Sequence, residues 1–286
     1  FPPSPAAVAH PAVPASVASA TVLRRQVSSA KQKKRRRLPR LRPRGTSADW
    51  PSAKVMRESV APCEAEARRS CDAADFSLEA VLRVLRLLEV PFNFTRRNVM
   101  PKGADHIRGM LLGLFVFGGA ATGISAGTVR HPWLTRLLIG AFRAEVPDFP
   151  FTSIQLNFNY ASRPHVDKNN LGTSYIVSFG EHTGGELWVH DEDGDVPLTL
   201  EDVDGLIWGY PAGCTFPGSV LQVRNKWRAF DGNKLHYTLP FAGERYTLVF
   251  FTCYRYVSAS ARVRAGLAAA GFDFDWDSAD LRGACA

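Results

Sequence analysis

The segment IQLNFNYASRPHVDKNN (residues 154–170) joins a strand-like stretch to a His-x-Asp pair, His165 and Asp167. Side chains two residues apart on an extended chain point to the same side, so this imidazole and carboxylate can face one metal ion. A facial non-haem Fe(II) site needs two histidines and one carboxylate, and it leaves coordination positions open. The pair therefore supplies two of three ligands, and on its own it is a weak signal because such pairs also arise by chance.

A second group of polar residues follows in GNKLHYTLPFAGERYTLVFF (residues 232–251), which contains His236, Arg245 and Thr247. Two apolar runs in this segment flank the turn-like residues 240–243, a pattern that predicts a β-hairpin. Such a hairpin would place His236 and Arg245 nearly opposite each other on adjoining strands. A second metal-competent nitrogen and a fixed cation are therefore expected in one cavity.

Arg245 has the chemistry to bind a dicarboxylate. A guanidinium takes a carboxylate through two parallel hydrogen bonds and keeps its charge when buried. Thr247 lies two residues on, on the same face of the strand, where its hydroxyl can donate to the same group.

The order His165-x-Asp167, His236 and Arg245-x-Thr247 resembles that of the Fe(II)/2-oxoglutarate-dependent dioxygenases. The resemblance implies that both histidines and the aspartate are catalytic Fe(II) ligands. It also implies that the Arg-x-Thr pair binds 2-oxoglutarate, with O2 as the second cosubstrate and ascorbate as a reductant.

The resemblance covers roughly residues 151–256 and extends to the strand before the metal motif. In a related branch of the family, an Asn and a Tyr in this strand help to hold 2-oxoglutarate. Asn159 and Tyr160 are the candidates here, although their distance from the His-x-Asp pair differs from that branch. An ordinary polar position near the rim of a strand is the alternative for both residues.

Many short strands separated by turns predict a fold that is mainly β with flanking helices (α+β) and has a double-sheet jelly-roll core. The family resemblance implies the same core, a double-stranded β-helix. The expected strands cover residues 152–160, 174–180, 185–190, 205–210, 214–216, 219–223, 234–239 and 246–254.

The supporting helices are expected before the core. The apolar period from Phe76 predicts a helix with Ser77 as its N-cap that ends before Pro91, and residues 132–144 predict a second helix. Residues 109–127 carry no charge and approach the length of a membrane span, but their six glycines favour buried strands joined by a Gly-Gly turn. No membrane association is therefore predicted.

The positive charge is concentrated near the start of the chain. Eleven of the 35 Lys and Arg residues lie in residues 24–44, which leaves 24 against 27 Asp and Glu. Residues 1–48 are predicted to be a disordered basic tail. The run KQKKRRRLPRLRPR favours a nuclear address or a nucleic-acid-binding arm, whereas the acid-free composition also suits an organelle transit peptide. A solvated linker without a partner is the third interpretation.

The predicted organisation is therefore the tail at 1–48, a dioxygenase domain at 75–257 with helical support at 75–146, and a C-terminal helix and tail at 258–286. Five cysteines without a Cys-x-x-Cys unit favour a reducing, intracellular compartment. The predicted reaction is hydroxylation or oxidative demethylation of a nucleic-acid base or a protein side chain. The alternative is a non-catalytic, cupin-like module that binds a metal or ligand, and the pattern leaves the substrate and oligomeric state open.

Overall fold

The computed structural model describes residues 61–118, 121–201 and 207–277. The basic tail predicted for residues 1–48 lies outside these residues, so its nuclear or organellar address and its nucleic-acid partner stay predictions. The start of the strand predicted at 205–210 also lies outside them, and residues 207–210 form a turn closed by a bridge between Ile207 and Tyr210.

Helices occur before, between and after the strands that form the largest sheet. They are α1 (Pro62–Asp72), α2 (Leu78–Arg86), α3 (Ala126–Arg130), α4 (Pro132–Glu145) and α5 (Ala261–Ala270), with a 3-10 turn at Tyr256–Ser258. The strands are β1 (Phe92–Asn93), β2 (Ile107–Phe117), β3 (Ala121–Ile124), β4 (Ser153–Phe158), β5 (Asn170–Phe179), β6 (His182–Gly184), β7 (Leu187–His190), β8 (Leu198–Thr199), β9 (Thr215–Phe216), β10 (Gly218–Leu221), β11 (Arg228–Asp231), β12 (His236–Thr238), β13 (Phe241–Gly243) and β14 (Tyr246–Cys253).

The strands form one large antiparallel sheet and three smaller ones. The large sheet has the order β1-β2-β4-β14-β5-β11, with β3 paired to β2. A second sheet has the order β10-β7-β12, and two further pairs are β13-β6 and β8-β9. The prediction of a mainly β fold with antiparallel sheets and flanking helices is therefore confirmed for the described residues.

Alternation along β14 separates the core from a cavity. Leu248 and Phe250 are fully buried and face the main apolar core, to which α1, α2, α4 and α5 also contribute. The ring of Phe142 in α4 stacks on Phe250 with centroids 4.1 Å apart. Thr247 and Val249 alternate with these residues and line the cavity. Because successive side chains of a strand point to opposite faces, the helices cover one face of the large sheet and the cavity lies against the other.

A smaller apolar cluster packs the two main sheets together. Ile176 of β5 and Phe230 of β11 belong to the large sheet, whereas Leu187 and Val189 belong to β7. Val223, in the connection after β10, completes the cluster. The cluster holds the second sheet across the face of the large sheet that the helices leave uncovered.

Helix α1 precedes residue 75, at which the sequence predicts the domain to begin, and no helix is predicted there. Both Glu64 carboxylate oxygens accept backbone N–H bonds at the start of α4, from Trp133 at 2.9 Å and from Leu134 at 3.1 Å. These bonds satisfy donors that a helix leaves free in its first turn. Residues 62–72 are therefore part of the packed structure.

The order of β12 and β14 corrects the predicted hairpin. Strand β12 pairs with β7, and β14 pairs with β4 and β5, so the two strands lie in different sheets. The residues predicted as the turn form β13, which pairs with β6. His236 and Arg245 therefore do not face each other across a hairpin; they approach one cavity from two sheets.

Residues 109–117 form most of β2 and residues 121–124 form β3, as predicted for strands instead of a membrane span, although only β2 is largely buried and β3 is half-buried or exposed. Within the described residues, no helix is both long enough and apolar enough to cross a membrane.

Helix α2 begins at the predicted N-cap, and this leads to a stability prediction. The Ser77 hydroxyl accepts the backbone N–H of Ala80 at 3.2 Å. We expect Ser77→Ala to lower the free energy of unfolding by about 1 kcal/mol, whereas Ser77→Asn, which retains a capping oxygen, should lose less than about half of that. Urea unfolding at constant m-value measures both. An equal loss in the two variants would instead assign the effect to the bond that Ser77 donates to Asp75.

Candidate metal centre and carboxylate site

The backbone brings the three predicted metal ligands together. His165 and His236 form an isolated antiparallel bridge in which each backbone N–H donates to the other residue's carbonyl at 3.0 Å. The Asp167 backbone N–H donates to the carbonyl of Gly232 at 2.8 Å. Both ends of the His165-x-Asp167 motif are therefore tied to the segment that carries His236. Main-chain pairing positions all three side chains.

Hydrogen bonds at the far side of each imidazole fix which nitrogen faces the cluster. Nδ1 of His165 donates to the carbonyl of Arg163 at 2.7 Å, and Nδ1 of His236 donates to the carbonyl of Lys234 at 2.8 Å. A carbonyl only accepts, so each Nδ1 carries the proton and each Nε2 keeps a free lone pair. Protein metal sites use this arrangement to orient histidine ligands.

The free nitrogens converge on Asp167. Nε2 of His165 lies 3.7 Å from Oδ1 of Asp167, and Nε2 of His236 lies 3.8 Å from Oδ2. One ligand atom from each of the three residues lies within 4.8 Å of the other two. Two nitrogens and one carboxylate at this separation fit a divalent transition metal of the facial two-histidine, one-carboxylate type.

Electrostatics favour the ligand states that a metal requires. Burial, followed by the proximity of His236, lowers the pKa of His165 to about 3. Burial alone would raise the pKa of the Asp167 carboxyl, but the imidazoles and the Arg96 guanidinium hold it below its ordinary value. At neutral pH His165 is therefore neutral and Asp167 is ionised, the states in which both groups coordinate metals.

The metal cluster opens into a cavity of about 780 Å³ that Arg245 also lines. This volume lies in the range of ligand and cofactor pockets. The cavity extends over the face of the large sheet formed by alternate residues of β4 and β14, and it reaches Leu187 of β7. It is therefore bounded by both main sheets.

Arg245 is a buried cation whose hydrogen-bond partners are neutral. One of its terminal nitrogens donates to the Thr247 hydroxyl at 2.6 Å, and the other donates to the carbonyl of Gly185 at 2.7 Å. Its Nε is buried without a hydrogen-bond partner, and no carboxylate of the described residues forms an ion pair with it. Burial lowers the pKa of Arg245 to about 10, so it remains charged at neutral pH. A buried charge without a counter-ion indicates a site for an anionic ligand.

Gly185 allows the guanidinium to lie against the backbone. Its φ is +80°, and a Cβ at this position would come within 2.6 Å of Arg245 Nε. Close packing beneath Arg245 therefore requires a glycine at this position.

The structure separates the other two predicted cofactor residues. Tyr160 lines the cavity, and its hydroxyl donates to Oδ1 of Asn157 at 2.7 Å. Asn159 is exposed and does not line the cavity; its Oδ1 accepts the backbone N–H of Arg245 at 2.7 Å. Asn159 therefore positions the start of β14, and Asn157 takes the place in the cavity that the sequence assigns to Asn159.

Gln155 and Arg96 are among the cavity residues that were not predicted from the sequence. Gln155 lies on the cavity face of β4, where the alternation that leads to Asn157 also indicates it. Arg96 lies after β1, and its charge helps to lower the pKa values of Asp167 and His165. No local motif surrounds Arg96, so only the tertiary structure identifies it.

The described residues contain a second group with metal-ligand chemistry, Cys63, Glu64 and His131. Nδ1 of His131 lies 4.0 Å from Cys63 Sγ and 3.8 Å from a Glu64 oxygen. Both Glu64 oxygens, however, already accept backbone N–H bonds at the start of α4. The His165 cluster differs because its imidazole lone pairs are directed at Asp167, so it is the stronger metal candidate.

Comparison with known proteins gives structural matches alone. No family model and no curated protein matches the chain. A 2OG-Fe(II) oxygenase family oxidoreductase from Burkholderia pseudomallei is 14% identical, with a TM-score of 0.35 over 66% of this chain and 88% of its own. A prolyl hydroxylase from Trichoplax adhaerens, in complex with a hypoxia inducible factor peptide, is 13% identical, with a TM-score of 0.36 over 66% and 83%.

The ribosomal oxygenase YcfD from Escherichia coli is 17% identical, with a TM-score of 0.29 over 57% of this chain and 40% of its own. These matches include the 2OG-Fe(II) oxygenase family that the motif order resembles. At such identities and TM-scores the likeness carries no functional inference. The assignment of function rests on the side chains of the site.

Proposed function

We propose that this chain is an Fe(II)- and 2-oxoglutarate-dependent dioxygenase that hydroxylates or oxidatively demethylates its substrate. The observation that carries the proposal is the buried Arg245 guanidinium, which lacks a carboxylate partner among the described residues. It lies in the same cavity as the cluster of His165, Asp167 and His236. A metal site and a carboxylate site in one cavity are what this chemistry requires.

The residues of the cluster fit Fe(II). His165 and His236 would bind through the Nε2 atoms that their Nδ1 bonds leave free, and Asp167 would bind through its carboxylate. When bound, Fe(II) supplies O2 activation, coupled to conversion of 2-oxoglutarate into succinate and CO2 and to oxidation of a substrate C–H bond. The carbonyls of Arg163 and Lys234 keep both imidazoles oriented throughout.

Arg245 and Thr247 would hold one carboxylate of 2-oxoglutarate. The guanidinium already donates to neutral oxygens of Thr247 and Gly185, and the Thr247 hydroxyl is free to donate onward because it accepts from Arg245. Tyr160 lines the same cavity. The apolar side chains of Ile176, Leu187 and Val249 also line this cavity, and apolar surroundings strengthen a charge-assisted hydrogen bond.

We also propose that the two main sheets form the double-stranded β-helix, or jelly roll. Support comes from the apolar cluster that joins β5 and β11 to β7, and from a bridge between Ser178 of β5 and Arg224. The metal cluster agrees with this arrangement, because it pairs His236 of β12, in the second sheet, with the connection between β4 and β5 of the large sheet.

A non-catalytic, cupin-like module is the alternative, and Arg245 argues against it. A binder of a metal alone gains nothing from a buried cation beside the metal, and burying an unpaired charge opposes folding. Occupation by a dicarboxylate gives this charge a partner.

Succinate formation tests the proposal. We expect the purified chain to release succinate from 2-oxoglutarate in the presence of Fe(II), O2 and ascorbate, and omission of Fe(II) or O2 should stop the release. Binding of Fe(II) and 2-oxoglutarate is measured in parallel without O2. A chain that binds both without producing succinate, even slowly in the absence of substrate, would support the binding module. A chain that binds neither would refute both interpretations.

A further inference from the structure

We propose that Arg96 binds an anionic group, a carboxylate or a phosphate, of the substrate. The proposal rests on the proposed function, because it assigns the part of the cavity that Fe(II) and 2-oxoglutarate would leave free. It names a residue that neither the sequence motif nor the family resemblance identifies.

Arg96 lies in the cavity with part of its charge unpaired. Its Nη1 is buried and has no hydrogen-bond partner. Within residues 61–118, 121–201 and 207–277, no carboxylate forms an ion pair with it. A buried donor on a charged group is costly when it remains unpaired, so its position in a ligand cavity is informative.

The segment that carries Arg96 is anchored on both sides. Oδ1 of Asn93 accepts the backbone N–H groups of Thr95 and Arg96, and the N–H of Val99 donates to the Arg96 carbonyl at 3.2 Å. Val99 is buried. The backbone at Arg96 is therefore fixed in a turn beside the cavity, so little backbone conformational entropy remains to be lost when a ligand binds.

The same segment is connected to the metal ligand His165 through Arg163. The backbone N–H of Arg163 donates to the Val99 carbonyl, and its Nε donates to the Asn98 carbonyl, both at 3.2 Å. The Arg163 carbonyl in turn accepts a hydrogen bond from Nδ1 of His165. A group bound at Arg96 would therefore have a defined position relative to the metal ligands.

The charge of the cavity favours an anion. Among the described residues that line it, Asp167 is the one acid, whereas the cations are Arg96, Arg97, Arg163, Lys168 and Arg245. A divalent metal and dianionic 2-oxoglutarate would cancel each other, and the other cations of the lining, without Arg163, would still outnumber its one acid. A cavity of one sign concentrates ligands of the opposite sign.

Arg96 and Arg245 are held by different parts of the fold. Arg245 donates to Thr247 and to the Gly185 carbonyl, whereas Arg96 lies in the turn that is tied through Arg163 to the metal ligand His165. The metal-proximal part of the cavity therefore has its own cation. Arg245 serves the cosubstrate, and Arg96 is available to the substrate.

The test uses the full chain loaded with Fe(II) and 2-oxoglutarate in the absence of O2, titrated calorimetrically with phenylacetate, phenyl phosphate and uncharged benzyl alcohol. We expect at least one anion to bind and the alcohol to bind at least about tenfold more weakly. Arg96→Gln should weaken binding of that anion about tenfold or more, the loss expected for one charge-assisted hydrogen bond. The two anions distinguish carboxylate from phosphate recognition. Arg130→Gln, at an exposed arginine outside the cavity, serves as the control.

Failure of this inference is distinguishable from failure of the proposed function. If the chain binds Fe(II) and 2-oxoglutarate but neither anion, or if Arg96→Gln leaves anion affinity unchanged, only the role of Arg96 is overturned. If Arg96→Gln instead weakens 2-oxoglutarate binding, Arg96 belongs to the cosubstrate site and the inference is also overturned. If the wild-type chain binds neither Fe(II) nor 2-oxoglutarate, the proposed function fails and this inference fails with it.

Discussion

Asp167→Ala should reduce Fe(II) affinity at least about 100-fold, because it removes the anionic ligand and leaves two neutral nitrogens. The same change should also lower the stability of the metal-free protein somewhat, because the lowered pKa of Asp167 means that the favourable interactions of its carboxylate outweigh the cost of desolvation; the effect of metal is therefore measured as a shift within each variant. Metal binding to the native state stabilises it by about 2.7 kcal/mol at a free concentration 100 times Kd. Thermal unfolding with Mn(II), or with Fe(II) without O2, should therefore show a metal-dependent shift in wild type that is absent from the variant.

Two further variants make this result interpretable. Asp193→Ala removes a carboxylate from an exposed loop and should retain the full metal-dependent shift. Asp167→Asn keeps the shape of the side chain and its hydrogen-bonding capacity toward Asn170, so it separates loss of the charge from loss of local packing. If Asp167→Ala kept the metal-dependent shift of wild type, Asp167 would be excluded from the ligand set.

The features that the sequence predicts well depend on local chemistry. The cap of α2 at Ser77 follows from a side-chain oxygen three residues before a free N–H. The division of β14 into a core face and a cavity face follows from alternation, which needs no knowledge of the partner strand. The glycines of residues 109–127 correctly indicate strands.

Strand pairing is where the sequence is insufficient. The apolar runs around Pro240 have the local pattern of a hairpin, yet residues 241–243 pair with β6, and β12 and β14 pair with strands far away in the chain. Backbone donors and acceptors are the same in every strand, so adjacency in the sequence cannot determine the partner. His236 and Arg245 reach one cavity because two sheets face each other.

Helix α1 and Arg96 escaped prediction for a related reason. The buried positions of α1 are Cys63, Glu64, Ala67 and Ser70, which are small or polar and give no apolar stripe. The function of Glu64 depends on contacts with residues about seventy positions away. Arg96 likewise depends on a turn that is tied to Arg163. Such contacts leave no periodic signal in the chain.

Arg245→Met should raise the 2-oxoglutarate concentration needed for half-maximal binding while leaving Fe(II) affinity within about twofold. Truncating one partner of a buried, hydrogen-bonded charge pair costs about 2–5 kcal/mol, which corresponds to a loss of roughly 30-fold to 4,000-fold in affinity. Methionine retains an apolar stem over Phe241, whose ring centroid lies 5.3 Å from the Arg245 guanidinium carbon. Anaerobic titration of the Fe(II)-loaded protein with 2-oxoglutarate measures the change.

The form of the Arg245 side chain matters as well as its charge. Arg245→Lys keeps a cation but loses the planar fork that contacts both Thr247 and Gly185, so its affinity should lie between those of wild type and Arg245→Met. Arg228→Met, at an exposed residue of β11, should bind 2-oxoglutarate like wild type. If Arg245→Met bound 2-oxoglutarate normally and Arg96→Gln did not, the dicarboxylate would occupy the metal-proximal end of the cavity. The roles assigned to the two arginines would then have to be exchanged, with Arg96 binding the cosubstrate and Arg245 left as the cation for the substrate.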